Sequence, residues 1–189
     1  LGLPAIPESA ETIAVMTHLL LAEQTGVRLH FSQISAGKSA QLIARAQRQG
    51  LAVSADVAIH QLLLSEQNIH HYNALSHCQP PLRSLRDQDE LRQALADGTV
   101  QAVCSDHRPH EHAAKSEPFA ETAPGISSLE TLLPLTLKLV ECGVLSLNTA
   151  LQRLTQGPAH VLGLPCTGIT VGAIADLTVF SQTESWEIN

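Results

Sequence analysis

The sequence predicts an α/β fold built on parallel strands. Two observations carry this: segments of helical hydrophobic period alternate with short strands, and those strands are apolar almost end to end. A near-continuous apolar strand is one covered on both faces, as parallel strands are. Residues 8–24 read as the first helix, with Ile13, Met16, Leu20 and Leu21 on one face and Gly26 placed to stop it. Residues 27–31 begin β-branched and stay mostly apolar, which predicts a strand. Residues 36–49 carry Leu42, Ile43 and Ala46 at helical spacing, with Gly50 at the C-terminal cap position. The next strand is 51–57. A helix over 87–96 has acids in its first turn, where the macrodipole favours them, and 99–104 is the third strand. Residues 127–142 and 147–155 are further helices, the first kinked or started late by Pro134. After Pro165 the texture changes, and 169–171 and 177–180 read as two short strands of a separate small β element. Three parallel strands suit a piece of a doubly wound sheet or of a (β/α)8 barrel, and counting does not separate the two. A whole barrel takes about 250 residues, so this chain can hold only part of one.

Composition narrows the function classes. The chain has 189 residues, 18 acidic and 11 basic, for a net charge of −7. No Lys/Arg cluster offers an electrostatic footprint, so neither nucleic acid nor an anionic membrane is expected as a partner. Apolar residues at 44% sustain a core, and aromatics at 3% leave Leu, Ala, Val and Ile to build it. No apolar run approaches the roughly 20 residues of a membrane span, and nothing at the start resembles a signal peptide. Cys78, Cys104, Cys142 and Cys166 form no CxxC pair, which speaks against a zinc ribbon or a disulfide framework. These features predict a soluble, cytoplasmic protein. The chain begins at Leu1 without Met and stops at Asn189 just after an expected strand, so both ends read as cut.

Ligands in α/β folds bind beyond the carboxyl ends of parallel strands. Here the three strands run into His30, into His60, and into Ser105-Asp106-His107. Two imidazoles and a carboxylate suit Zn²⁺, and the carboxylate can also accept a proton from activated water. Each residue alone is more simply a hydrogen-bonded strand terminus, and only the group points to chemistry. Ala36-Gly37-Lys38-Ser39 imitates the end of a P-loop, but Ser32 stands where the first glycine belongs, so a phosphate cradle is rejected. His70, His71, His77 and Cys78 match no zinc spacing and read as a solvated loop. Cys104 reads as a small buried residue, and no GxSxG supports a serine hydrolase.

The run Ser105-Asp106-His107-Arg108-Pro109-His110, followed by Lys115, resembles a signature of the dihydroorotases in the amidohydrolase superfamily. Cys104 stands there for Gly/Ala and Arg108 for Ala. Leu29-His30-Phe31-Ser32 is similar to the family's CHVS, Gln79-Pro80-Pro81-Leu82-Arg83 to NPPLR, and Pro124-Gly125-Ile126-Ser127-Ser128-Leu129-Glu130-Thr131 to FGIxGLET. Gly157-Pro158-Ala159 and Gly172-Ala173-Ile174-Ala175-Asp176-Leu177 resemble its closing segments, so the likeness runs to about Phe180. The resemblance implies a partial (β/α)8 barrel over 1–163, holding strands six to eight, and part of a small β subdomain over 164–189. It implies His30 and Asp106 as metal ligands, with Asp106 also moving the proton, and demotes His60 to a supporting position. Gln79 and His110 would hold the substrate carboxylate, and Pro124 and Gly125 the pyrimidine ring.

The implied reaction is reversible hydrolysis of dihydroorotate to carbamoyl aspartate in pyrimidine biosynthesis. Two zinc ions would polarise the carbonyl and activate water, Asp106 would act as general base and then acid, and the loop 111–123 would close over the substrate. The family's remaining metal ligands lie on strands one, four and five, which this chain does not contain. The segment alone is therefore expected to be inactive and to hold no binuclear centre. Gln79 for Asn and Arg108 for Ala keep a second reading open, a non-catalytic dihydroorotase-like scaffold for aspartate transcarbamoylase. A related cyclic amidohydrolase, a hydantoinase or allantoinase, is the third. A homodimer is compatible with any of them.

Overall fold

A computed structural model describes residues 2–3, 5–166 and 168–187; Leu1 and Asn189, the ends read above as cut, lie outside them. The elements are α1 (Glu8–Thr25), β1 (Leu29–Phe31), α2 (Gly37–Arg48), β2 (Val53–Ala58), α3 (Leu85–Asp97), β3 (Ala102–Cys104), α4 (Leu132–Glu141), α5 (Leu147–Leu154) and α6 (Gln156–Leu162). Short 3-10 turns sit at Ile59–Leu62, Glu66–Tyr72, Ala74–Ser76, Ala113–Lys115 and Phe119–Glu121.

The three strands form one parallel sheet in the order β1-β2-β3, with His30 opposite Ser54 and Ala58 opposite Cys104. Each is joined to the next through a helix, as the alternation of periods predicts. β2 is central and buried throughout. Because all three strands point the same way, His30, His60 and Asp106 are delivered toward one end of the sheet. Beneath them lies a core of Val57, Val103, Ile43, Leu91, Leu95 and Leu139, which joins sheet to helices. Hydrophobic burial of this kind is the main stabilising term.

Two expectations need correction. On α1 the face chosen from the sequence is the outward one: Ile13 is 66% exposed, and Met16, Leu20 and Leu21 are exposed with it. Val15, Leu19 and Ala22 are the buried residues instead. The helix is apolar on two faces, so hydrophobic period cannot rank them, and packing against α2 decides. The strands expected at 169–171 and 177–180 do not form among the described residues; Ile169, Val171 and Val179 lie almost wholly exposed. A strand needs a hydrogen-bonded neighbour, and no described segment supplies one. Pro134 acts as expected: it sits in the first turn of α4, which starts at Leu132, where a missing N–H is tolerated.

The Gly157-Pro158-Ala159 motif has a packing reason. Gly157 lies in α6, and a Cβ built there would run into the backbone carbonyl of Gln101, just before β3. Only glycine allows α6 to lie this close. Alanine ordinarily gains up to about 1 kcal/mol over glycine inside a helix, but overpacking against fixed backbone costs about 1–3 kcal/mol or more. The clash wins, so G157A is expected to lower unfolding stability by about 1–2 kcal/mol. Urea denaturation checks it; a variant more stable than the parent would show that α6 can move away.

Candidate active site

At the carboxyl end of the sheet, two buried carboxylates organise the polar side chains. Asp56, on β2, accepts from His30 Nε2 at 2.9 Å and Ser32 Oγ at 3.0 Å through Oδ2. Its Oδ1 takes the Gln33 backbone N–H at 2.7 Å and the Cys104 thiol at 3.3 Å. Burial alone would raise the Asp56 carboxyl, but the bonds from His30, Gln33, Cys104 and Ser32 outweigh it and hold its pKa below the usual carboxylate range. With Nε2 carrying the proton, the other His30 nitrogen, Nδ1, receives the Ser54 hydroxyl at 2.8 Å. Sequence reasoning missed Asp56. Its signal was there: a lone acid inside a mostly apolar strand.

Asp106 follows β3 in the left-handed region, at φ 46°. Its Oδ1 accepts from Gln33 Nε2 at 2.6 Å and forms an ion pair with Arg108, whose Nε lies 2.8 Å away. Arg108 also donates from Nη2 to Gln33 Oε1 at 3.1 Å, which closes a ring of three side chains. Gln33 thus touches both carboxylates, through its main chain at Asp56 and its side chain at Asp106. The other Asp106 oxygen, Oδ2, lies 4.0 Å from His60 Nε2, too far for a hydrogen bond. The His60 side chain is only 3% exposed, and neither ring nitrogen has a partner. Burial lowers its pKa, Asp106 opposes that and Arg108 adds to it, so the ring is neutral at pH 7.

The proposed ligand pair is therefore placed at one sheet end but not joined. No hydrogen bond or ion pair links His30 to Asp106; His30 turns to Asp56, and Asp106 to Gln33 and Arg108. His60, demoted by the resemblance, is the imidazole facing Asp106. As placed, these side chains do not fit a metal ion. Both His30 nitrogens and one Asp106 oxygen have protein partners, and among the described residues no three His, Cys, Asp or Glu side chains gather as a ligand set.

Of the residues assigned to substrate, His110, Pro124 and Gly125 lie together. His110 Nε2 donates to the Pro124 carbonyl at 3.1 Å, and a Cβ on Gly125 would lie 2.5 Å from the Arg108 carbonyl oxygen and 2.9 Å from His110 Nε2. That crowding explains the glycine. The Gly125 N–H is used by the His77 carbonyl at 2.8 Å, which ties this wall to the loop carrying exposed Gln79. Segment 124–131 is further held by His107, whose Nδ1 accepts the N–H groups of Ser128 and Leu129, each at 3.1 Å. The 111–123 loop is pinned to the neighbouring loop: Lys115 Nζ donates to the carbonyls of Ala74 and His77, and His77 stacks on Phe119 with ring centroids 4.7 Å apart. Burial and the Lys115 charge lower the His77 pKa, so this contact is between neutral rings.

A buried carboxylate pair at the carboxyl end of a parallel sheet, walled by loop histidines, is an arrangement suited to hydrolytic proton transfer. The amidohydrolase family model matches residues 4–188, and the chain belongs to that family. A dihydroorotase-like protein of Pseudomonas putida is 53% identical over 98% of this chain and 44% of its own length. A dihydroorotase of Syntrophotalea carbinolica is 40% identical over 100% of this chain and again 44% of its own. Among solved structures, L-hydantoinase (dihydropyrimidinase) from Arthrobacter aurescens superposes with a TM-score of 0.78 at 27% identity, over 83% of this chain and 36% of that one. The chain spans less than half the length of these relatives.

Two predictions follow from burial and bonding at this site. D56A strands four donors and is expected to cost about 2–4 kcal/mol of unfolding stability, with D56N losing less because it keeps a carbonyl acceptor; chemical denaturation separates the two. Among the thiols, burial pushes Cys78 up to about 11, with smaller effects from its surroundings, and Cys104 is raised further by burial and Asp56. Cys142 and Cys166 are exposed. A thiol reagent at pH 8 should therefore modify two cysteines quickly, and Cys78 and Cys104 only when denaturant is added.

Proposed function

We propose that this chain is the C-terminal, site-bearing part of a dihydroorotase-type cyclic amidohydrolase. On this reading β1, β2 and β3 are strands six to eight of a (β/α)8 barrel spanning 1–163, and 164–189 belong to a small β subdomain. The whole protein would hydrolyse dihydroorotate reversibly to N-carbamoyl-aspartate, in the cytoplasm, for pyrimidine biosynthesis. The observation that carries the reading is Asp106 itself. Its carboxylate is buried at the end of β3, with one oxygen anchored by protein donors and Oδ2 left open.

An anchored, half-open carboxylate suits general acid–base work. Oδ2 accepts the proton of the attacking water and returns it to the leaving ring nitrogen, while Gln33 holds Oδ1 fixed. Such transfers contribute about 10²–10⁴-fold in rate. His110 is held against the Pro124 carbonyl through Nε2 and lines the place of a substrate carboxylate, to which Gln79 offers an amide from the adjoining loop. Pro124 and Gly125 then form the wall against the ring. Two zinc ions are the cofactor the resemblance implies, but the present placement of His30 and Asp106 does not fit them, and the proton path above uses only this chain's residues.

Arg108 on Asp106 keeps one other reading open, a non-catalytic dihydroorotase-like scaffold for aspartate transcarbamoylase. The family and the dihydroorotases among the relatives support the enzyme. Assay of the full-length protein decides between them. Dihydroorotate should be turned over, and D106N should lose at least about 100-fold in kcat. No turnover by the parent, or none lost in D106N, would sink the hydrolase reading. Preference for hydantoin or dihydrouracil, which lack a carboxylate, would overturn the role given to His110.

A further inference from the structure

The Asp106 carboxylate is almost fully buried, 3% exposed at its side chain, and an ion so placed needs a compensating charge. The chain supplies one two residues later. Arg108 sets Nε 2.8 Å from Oδ1 and turns Nη2 onto Gln33 Oε1 at 3.1 Å. Gln33 is itself fixed: its φ is 57°, its N–H is bound by Asp56, and its amide donates to the same Asp106 oxygen at 2.6 Å. The guanidinium is therefore held at two points rather than waving in solvent.

We propose that Arg108 is a built-in counter-cation for Asp106 that competes with any divalent metal ion for this carboxylate. An ordinary surface ion pair would not do this, because exposed pairs contribute little and yield readily. Arg108 is 44% exposed, but its partner oxygen is not, and that oxygen already takes the Gln33 hydrogen bond as well as the ion pair. A metal ion bound at Oδ1 would have to break both bonds. One bound at Oδ2 would sit beside a fixed positive charge in a poorly solvated site. Arg108 is thus a positioning residue that opposes a metal ion at Asp106 and keeps its Oδ1 immobile. The inference goes beyond the proposed reaction and holds for any cyclic amide.

The test is metal binding to the full-length protein. Zinc and cobalt(II) affinities are measured by equilibrium dialysis and cobalt absorption for the parent, R108A, R108Q and the double variant R108A/D106N. Both single variants should bind at least about tenfold more tightly than the parent, the scale of one close charge pair. Adding D106N should abolish that gain. Equal affinities in parent and single variants, or a gain that survives D106N, overturn the proposal. Should both single variants be unfolded by circular dichroism, refolding on addition of zinc supports it and failure to refold counts against it. Turnover of dihydroorotate is recorded separately. Tighter metal without turnover keeps this inference and removes the hydrolase reading; turnover with unchanged metal affinity does the reverse.

Discussion

Two negative charges buried within one sheet end set the terms for everything around them. Desolvating a carboxylate costs several kcal/mol unless donors replace the lost water. Asp56 meets that demand with four donors drawn from three places: His30 within β1, Ser32 and Gln33 just after it, and Cys104 at the end of β3. Asp106 meets it with an amide and a guanidinium. Gln33 serves both, and it can do so because its left-handed backbone turns the N–H one way and lets the side chain go the other. Non-glycine residues adopt that conformation at a cost, so the bonding it enables must outweigh the strain.

The loops that surround this end are tied to the frame in the same manner. Glu11 of α1 accepts the N–H groups of Ser35 and Ala36 at the entrance to α2, and Asp87 accepts that of Gly37 at 3.0 Å. Those carboxylates occupy the helix N-terminus that a P-loop would give to phosphate, which is the physical reason the imitation at 36–39 is empty of that function. Arg83 bridges from the motif loop to Ser35 Oγ at 3.0 Å and to the Ile6 carbonyl at 2.6 Å, while Gln61 holds the Pro80 carbonyl at 3.0 Å. Gln79 therefore projects from a loop fixed on both sides rather than from a free strap.

How much of this was legible in the sequence differs by kind of interaction. The parallel βαβ order was readable because period and apolar runs are local properties, and the helices over 8–24 and 36–49 match α1 and α2 to within a residue or two. The buried face of α1 was not, since a helix apolar on both sides carries no local mark of which neighbour it meets. The strands expected near Ile169 and Leu177 failed for a related reason: β structure is a pairing, and propensity cannot provide the second partner. Within the site, His30, Asp106 and His110 were found by motif. Their partners were not, because a motif names residue types and says nothing of which donor a side chain will choose.

That last gap matters most at Asp106. Residue type alone offers a ligand or a base; placement anchors one oxygen and leaves Oδ2 without a hydrogen bond. An oxygen that takes a hydrogen bond from Gln33 and an ion pair from Arg108 is kept still, which fixes the direction of the other oxygen. Only one of the two works against a cation that would share the carboxylate. Gln33 is neutral and asks only for a hydrogen bond, so it favours orientation without opposing a positive charge. Arg108 opposes one directly. The balance between a base and a metal ligand at this position accordingly rests on the guanidinium, and the departure from alanine at residue 108 is a change in electrostatics at the carboxylate, not merely in bulk at the rim.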